Sequence, residues 1–182
     1  MHLIILIFVS LIFGACSEER TKPLYTVKLS DAGVGKIGVQ TPFETRLIEP
    51  KFPGFDVQIF TFFKIGKPMP VIQISYRGTP WIHLFPTEDK KKIESISIVS
   101  ANIESAWPTK IGMRFDETYN SEQLLLCKMG TDKLKDKIIC KEPLSEMVYY
   151  VYEIDTELLE NRVPMYSQLQ TSKVDEIIWK VK

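Results

Sequence analysis

The chain has 182 residues, of which 45% are hydrophobic and 25% charged. The 23 Lys and Arg balance the 23 Asp and Glu, so no net field draws the chain to nucleic acid. Without the N-terminal segment about 166 residues remain, enough for one domain with a substantial core and too few for two.

The N terminus reads as an address. Leu3 to Phe13 is an apolar run broken only by Ser10, and it ends in Gly14, Ala15 and Cys16. Small residues before a cysteine suit a signal peptidase, and the cysteine left at the new amino terminus offers a thiol for diacylglycerol attachment. The expected division is a lipoprotein signal peptide at 1–15, a lipidated Cys16 with a polar tether at 16–23, and one β-rich periplasmic domain at 24–182. The run is shorter than the ~20 residues that span a bilayer, which disfavours an uncleaved membrane anchor. No Lys or Arg precedes it, only the terminal amine and His2. Ser17 after the cysteine points to the outer membrane, by the enterobacterial sorting habit in which Asp at this place retains a lipoprotein inside.

After the tether, YTVKL alternates as a half-buried strand does, and DAGVGKIG supplies turn glycines. TPFE reads as a capping box, with Thr41 as N-cap, Pro42 at the first helical position and Glu44 reaching back, opening a short helix to about Ile48 that Pro50 stops. From Asp56 to Ser100 the pattern is consecutive antiparallel strands: DVQIFTFFKI, VIQISYRG, TPWIHLF and KKIESISIVS, with GKPMP as the first hairpin connection. KIGMRFDETYNSEQ is the clearest helix, with Ile111, Phe115 and Tyr119 on one side, Asp116, Glu117 and Asn120 on the wet side, and Thr109 as cap. QLLLCKM, KIICKE, MVYYVYEI and KVDEIIWKVK return to strand. DTELLENRVPMYSQLQTS is expected to hold a helical turn before Pro164 and an irregular loop after it. The fold class that results is mainly β, an antiparallel sandwich-like domain with one or two short helices.

With Cys16 committed to lipid, Cys127 and Cys140 remain as an even pair in an oxidising compartment, and a disulfide is the expectation. The segment between them carries Gly130, Thr131 and Asp132 between apolar runs, as a hairpin would. A redox or metal site fits poorly, because no CxxC is present and His83 is the sole other soft ligand of the mature chain.

Here the pattern resembles a known family. GVG followed by TP, IESISIVSANI, KIGMRF with Tyr119, the spaced Cys127 and Cys140, an aromatic strand and a terminal IIWKVK are similar to the RpoE-regulated lipoprotein family of uncharacterised bacterial envelope proteins. The likeness runs from about Asp31 to the chain end. Its most specific parts are Ile96 to Ser100 with Lys110 to Gly112, the two cysteines, and Ile177 to Trp179. The resemblance implies a mostly β periplasmic domain on a lipid anchor, with expression tied to envelope stress, and it implies no reaction.

Candidate chemistry is sparse. GVGKIG at Gly33 to Gly38 matches GxGxxG, but Val39 and Gln40 delay any helix and the following strands look antiparallel, so a turn is expected and no nucleotide or other cofactor. His83 would have to be the base of any triad, and as a strand residue it should share a face with Trp81 and Phe85 beside packed aromatics. Glu88/Asp89 and Asp116/Glu117 belong to turns or a wet helix face, and Lys90 to Lys92 to a solvated turn. In DVQIFTFFKI both strand faces are apolar, which calls for two covers: a second sheet plus a helix, or else an apolar groove for an acyl chain or a partner's side chains. Phe60, Phe62, Trp81, Tyr150 and Tyr152 are the candidate groove residues. The expected function is a non-enzymatic, lipid-anchored binding or scaffolding module with an envelope protein or lipid partner; a lipid or peptide carrier is second, and a hydrolase last.

Overall fold

The computed structural model describes residues 25–64, 67–131, 134–154 and 163–181. The signal segment, Cys16 and the tether expected around it lie outside the described residues. Two short strands, β1 (Lys28–Ser30) and β2 (Gly33–Val34), open the domain, followed by the one-turn helix α1 (Thr45–Ile48) and a 3-10 turn at Glu49–Lys51. Four longer strands follow: β3 (Asp56–Lys64), β4 (Lys67–Tyr76), β5 (Thr79–Pro86) and β6 (Ile93–Ile98). After β7 (Glu104–Ser105) come α2 (Phe115–Thr118), a 3-10 turn at Glu122–Leu126, β8 (Cys127–Met129), β9 (Lys137–Lys141), β10 (Val148–Glu153), α3 (Tyr166–Leu169) and β11 (Val174–Lys180).

The fold is mainly β and sandwich-like, as expected. Eight strands form one sheet in the order β3-β4-β5-β6-β11-β10-β9-β8, every pair antiparallel, and β2-β1-β7 form a small second sheet. Strand alternation places one row of side chains straight across the main sheet: Ile74, Ile82, Ile98, Ile177, Tyr150 and Cys140 are direct register partners. All six are buried in one core cluster with Val27, Leu29, Ile48, Phe52 and Phe115 from the segments that cover this inner face. Two contacts from Asp31 fasten the cover: its carbonyl accepts from Trp179 Nε1 at 3.0 Å, and its carboxylate accepts from the Ser145 hydroxyl.

The GVGKIG segment is a turn. Val34 bridges Ile37, and Gly33 has φ 138°, with the position of a Cβ only 1.8 Å from the Ile37 carbonyl oxygen, so no other residue fits there. The Cys127–Cys140 disulfide is present, between residues directly opposite in the β8–β9 register with Cα atoms 4.0 Å apart.

Several local expectations fail, two of them because distant backbone competes for the same groups. Thr41 does not cap a helix. Its hydroxyl accepts from the Gly38 amide, while Phe43 N–H donates to Lys91 and the Thr41 carbonyl accepts from Ile93, holding 41–43 extended; α1 starts after Glu44. Pro50 continues this turn as part of the 3-10 segment. KIGMRFDETYNSEQ is helical only over α2, since the Gly112 and Phe115 amides donate to Val174 and Ser172 in place of helical partners. The expected β3–β4 hairpin forms, but Lys67 to Pro70 of GKPMP already belong to β4, and β5 pairs β4 only from Ile72, so Pro68 and Pro70 have a strand neighbour on one side alone. QLLL of the expected strand is 3-10, and the loop expected after Pro164 contains α3.

Candidate functional site

Among the described residues, the inner face of the main sheet is covered and its outer face is not. The row opposite to the core row runs Gln58, Gln73, His83, Ser97, Ile178, Tyr149 and Lys141, again direct register partners. Both edges of the sheet curl toward this face. Phe62 and Phe63 of β3 and Lys128 and Met129 of β8 line the same groove, about 1140 Å³ in volume and open to solvent, to which all eight strands contribute.

The walls are apolar where the sheet edges approach, with Phe62, Phe63, Met69 and Phe85 on one side and Met129, Leu134, Ile139 and Ile178 toward the other. The middle is mixed. Val71, Ser97 and Glu176 form the floor and are buried in spite of facing outward, because the curl closes the sheet around them. His83 Nε2 lies 3.2 Å from Gln73 Oε1, and the Gln73 amide donates to the Ser75 hydroxyl at 3.0 Å, so the histidine is tied into a side-chain relay along the strands. Lys180 pairs with Glu94 at 3.5 Å at one rim.

Glu176 is the unusual member. It is only 9% exposed, and its Oε1 has no hydrogen-bond partner among the described residues. Glu176 attracts Lys137, whose ammonium pairs with Asp175 and lies 3.7 Å from Glu153. Burial opposes the charge on Lys137, but the hydrogen bond and attraction of Asp175, with Glu153 and Glu176, outweigh it and raise its pKa. An unsatisfied carboxylate oxygen in such surroundings favours a ligand that brings a donor, an amide N–H, hydroxyl or ammonium.

A second polar cluster is sealed inside the core. Tyr150 donates to Glu142 Oε2 at 2.8 Å, Tyr119 to the Lys141 carbonyl at 3.0 Å and Tyr166 to the Tyr119 carbonyl at 3.1 Å. Burial pushes the phenols of Tyr119, Tyr150 and Tyr152 above their ordinary range. This cluster joins α2 to β9 and β10 and has a structural role.

Of the five aromatics expected to line a groove, the structure brings only Phe62 to it. Phe60 is exposed two residues back on the same face of β3, while Tyr150 and Tyr152 are fully buried on the inner face. Trp81 also joins the core, against Phe55 and Tyr76, because a bulge in the β4–β5 pairing breaks the alternation that should have kept it beside His83. Nor does β3, an edge strand of the main sheet, receive the two covers its apolar faces call for: Ile59, Phe60, Phe62 and Phe63 stay exposed. Glu176 and Ile178 escaped sequence reasoning, although the alternation of DEIIWK already separates them from Ile177 and Trp179. Among the described residues no group of three His, Cys, Asp or Glu is placed to hold a metal, and no helix is long and apolar enough to cross a membrane.

Comparison with known proteins yields a family and a fold. Residues 24–181 match the family described as "Protein of unknown function (DUF1131)". The uncharacterized protein YfeY of Escherichia coli (strain K12) is 23% identical over 155 residues, covering 85% of this chain and 80% of that protein. The crystal structure of yfeY from Escherichia coli superposes with a TM-score of 0.71 at 18% identity, covering 86% of this chain and all of that one, and so shares the fold.

Proposed function

The chain belongs to the DUF1131 family, and on that footing we propose that it is a non-enzymatic binding module of the cell envelope whose outer-face groove receives an extended, largely apolar polypeptide segment. The groove carries this reading. At about 1140 Å³ it matches or exceeds the 300–1,000 Å³ of typical ligand sites, and it is open along its length. From β4 across to β9 it crosses five inter-strand spacings of about 4.8 Å, roughly 24 Å, the length of about seven extended residues. A hydrocarbon chain would have no use for Ser97, His83 or the unpartnered Glu176 oxygen, whereas a peptide brings apolar side chains and backbone donors together.

In this reading the module is lipid-anchored through Cys16, faces the periplasm from the outer membrane, and is made under envelope stress. The apolar run before Cys16, Ser17 after it and the family-like motifs support that placement. Metabolic labelling checks the anchor: wild type incorporates palmitate and Cys16→Ala does not, and equal labelling removes the lipid from the proposal.

Native mass spectrometry of the full protein, extracted gently from its own membranes, tests the groove. Wild type should retain non-covalent peptide mass that Ile178→Arg, which puts a charge in the groove, releases. Retained lipid would replace the peptide with an acyl ligand. A chain that carries no extra mass, or the same mass in the variant, would overturn the groove as the binding site.

A further inference from the structure

The β3–β4 hairpin has more apolar surface than the groove uses. Ile59, Phe60, Phe62 and Phe63 are 57%, 40%, 51% and 75% exposed, the densest run of exposed large apolar side chains among the described residues. They occupy both faces of β3, Ile59 and Phe63 on one and Phe60 and Phe62 on the other. The partner stretch Pro68, Met69 and Pro70 is equally apolar and extends past the end of β5, so among the described residues the arm has no further strand beside it there. The charge along this arm is one-sided as well. At the hairpin end Lys64 and Lys67 are direct register partners, and no acidic residue lies between Val57 and Gly78; Asp56 and Arg77 sit at the opposite end of the hairpin.

We propose that the end of the β3–β4 hairpin is a membrane-contacting arm that seats its exposed phenylalanines in the interfacial region of an anionic phospholipid bilayer, with Lys67 at the headgroups. Another protein strand added to the β3 edge would pair its backbone but leave both side-chain faces wet; a bilayer surrounds both. Basic residues beside an exposed apolar surface match anionic headgroups. The geometry of the N terminus agrees. Tyr25 contacts Phe52, which contacts Phe55 at the base of β3. The eight residues 17–24 can span at most about 26–29 Å, and the eight-residue rise from Asp56 to Lys64 is about 27 Å, so a membrane-held Cys16 and the hairpin end can meet one plane. Phe62, Phe63 and Met69 also wall the groove, so the arm and the groove share this edge, and the agreement with the N terminus rests on the lipid anchor proposed above.

The test uses the full chain as isolated, reconstituted into vesicles of phosphatidylethanolamine and phosphatidylglycerol whose acyl chains are brominated, since bromine quenches tryptophan only on contact. Native Trp81 and Trp179 are buried and Trp107 is half-buried, so the added emissions are read in a Trp107→Phe background. Phe63→Trp should add a blue-shifted emission most of which the bromines remove. Leu144→Trp, at a position 81% exposed between β9 and β10, should add an emission that they leave intact. Lys67→Glu in the Phe63→Trp background should lose much of the quenching on these vesicles and little on neutral phosphatidylcholine. A red-shifted, unquenched emission added by Phe63→Trp overturns the arm, a blue-shifted but unquenched one assigns it to a protein surface instead, and indifference to Lys67→Glu overturns the role of the headgroups.

Discussion

The two faces of the eight-stranded sheet are made from the same strands and differ in almost everything else. On the inner face Ile74, Ile82, Ile98, Ile177, Tyr150 and Cys140 form a closed apolar row beneath α1, α2 and the small sheet. On the outer face Gln73, His83, Ser97, Ile178 and Tyr149 stand in the same register with none of the described residues layered over them. The contrast assigns stability to the inner side and leaves the outer side to the recognition proposed for it, because burial without polar cost is available only where a second layer excludes water.

Substitutions on the two sides should therefore separate. The largest loss is expected from Trp179→Ala, which removes a fully buried ring and the hydrogen bond to Asp31 and should cost about 3–5 kcal/mol by denaturant unfolding. A cost within the surface range would mean that the cover does not seal the inner face. Replacing both Cys127 and Cys140 by Ser opens a loop with a sequence separation of 13 and should cost about 3 kcal/mol, the same as reduction of wild type.

Tyr150→Phe leaves Glu142 short of a donor in the core and should cost about 1–3 kcal/mol at neutral pH. The pH dependence has a definite sign. Tyr119, Tyr150 and Tyr152 have folded pKa values above the unfolded one of about 10, so the folded state keeps protons that the unfolded state releases. Their contribution is full below about pH 10 and is lost as pH rises through the folded values. Ultraviolet titration should find these three of the seven tyrosines silent until alkaline unfolding. Three normal titrations in the folded protein would contradict the sealed cluster. The smallest stability effect belongs to the outer face: Ile178→Ala should cost at most about 1 kcal/mol while weakening ligand retention, and a core-sized penalty would blur the division of the sheet.

Much of this was legible because it is local. The alternation of VIQISYRG and DEIIWK fixes which residues share a face, and Gly130 between apolar runs that each carry a cysteine marks the β8–β9 hairpin with its disulfide. The helix expected at 110–123 shrinks for a non-local reason: its amides are taken by Ser172 and Val174, some sixty residues away in sequence. Thr41 fails as a cap in the same way, through pairing of 41–43 with 91–93. The groove aromatics are hard to assign because tyrosines at 149, 150 and 152 give no sign of which parity faces the core; the answer depends on the layer that lands on them.

Side-chain period, backbone freedom and short-range closure are written into the chain itself, and they settle the class of fold, most of its strands, the turn that Gly33 makes and the disulfide. Packing at long range settles the rest: that Ile98 lies beside Ile177, that Trp81 turns inward at a bulge, that β3 is left as an edge and that Glu176 lies on a groove floor. Those outcomes depend on which distant segments compete successfully for the same backbone groups and the same apolar face, and no window along the chain contains both competitors.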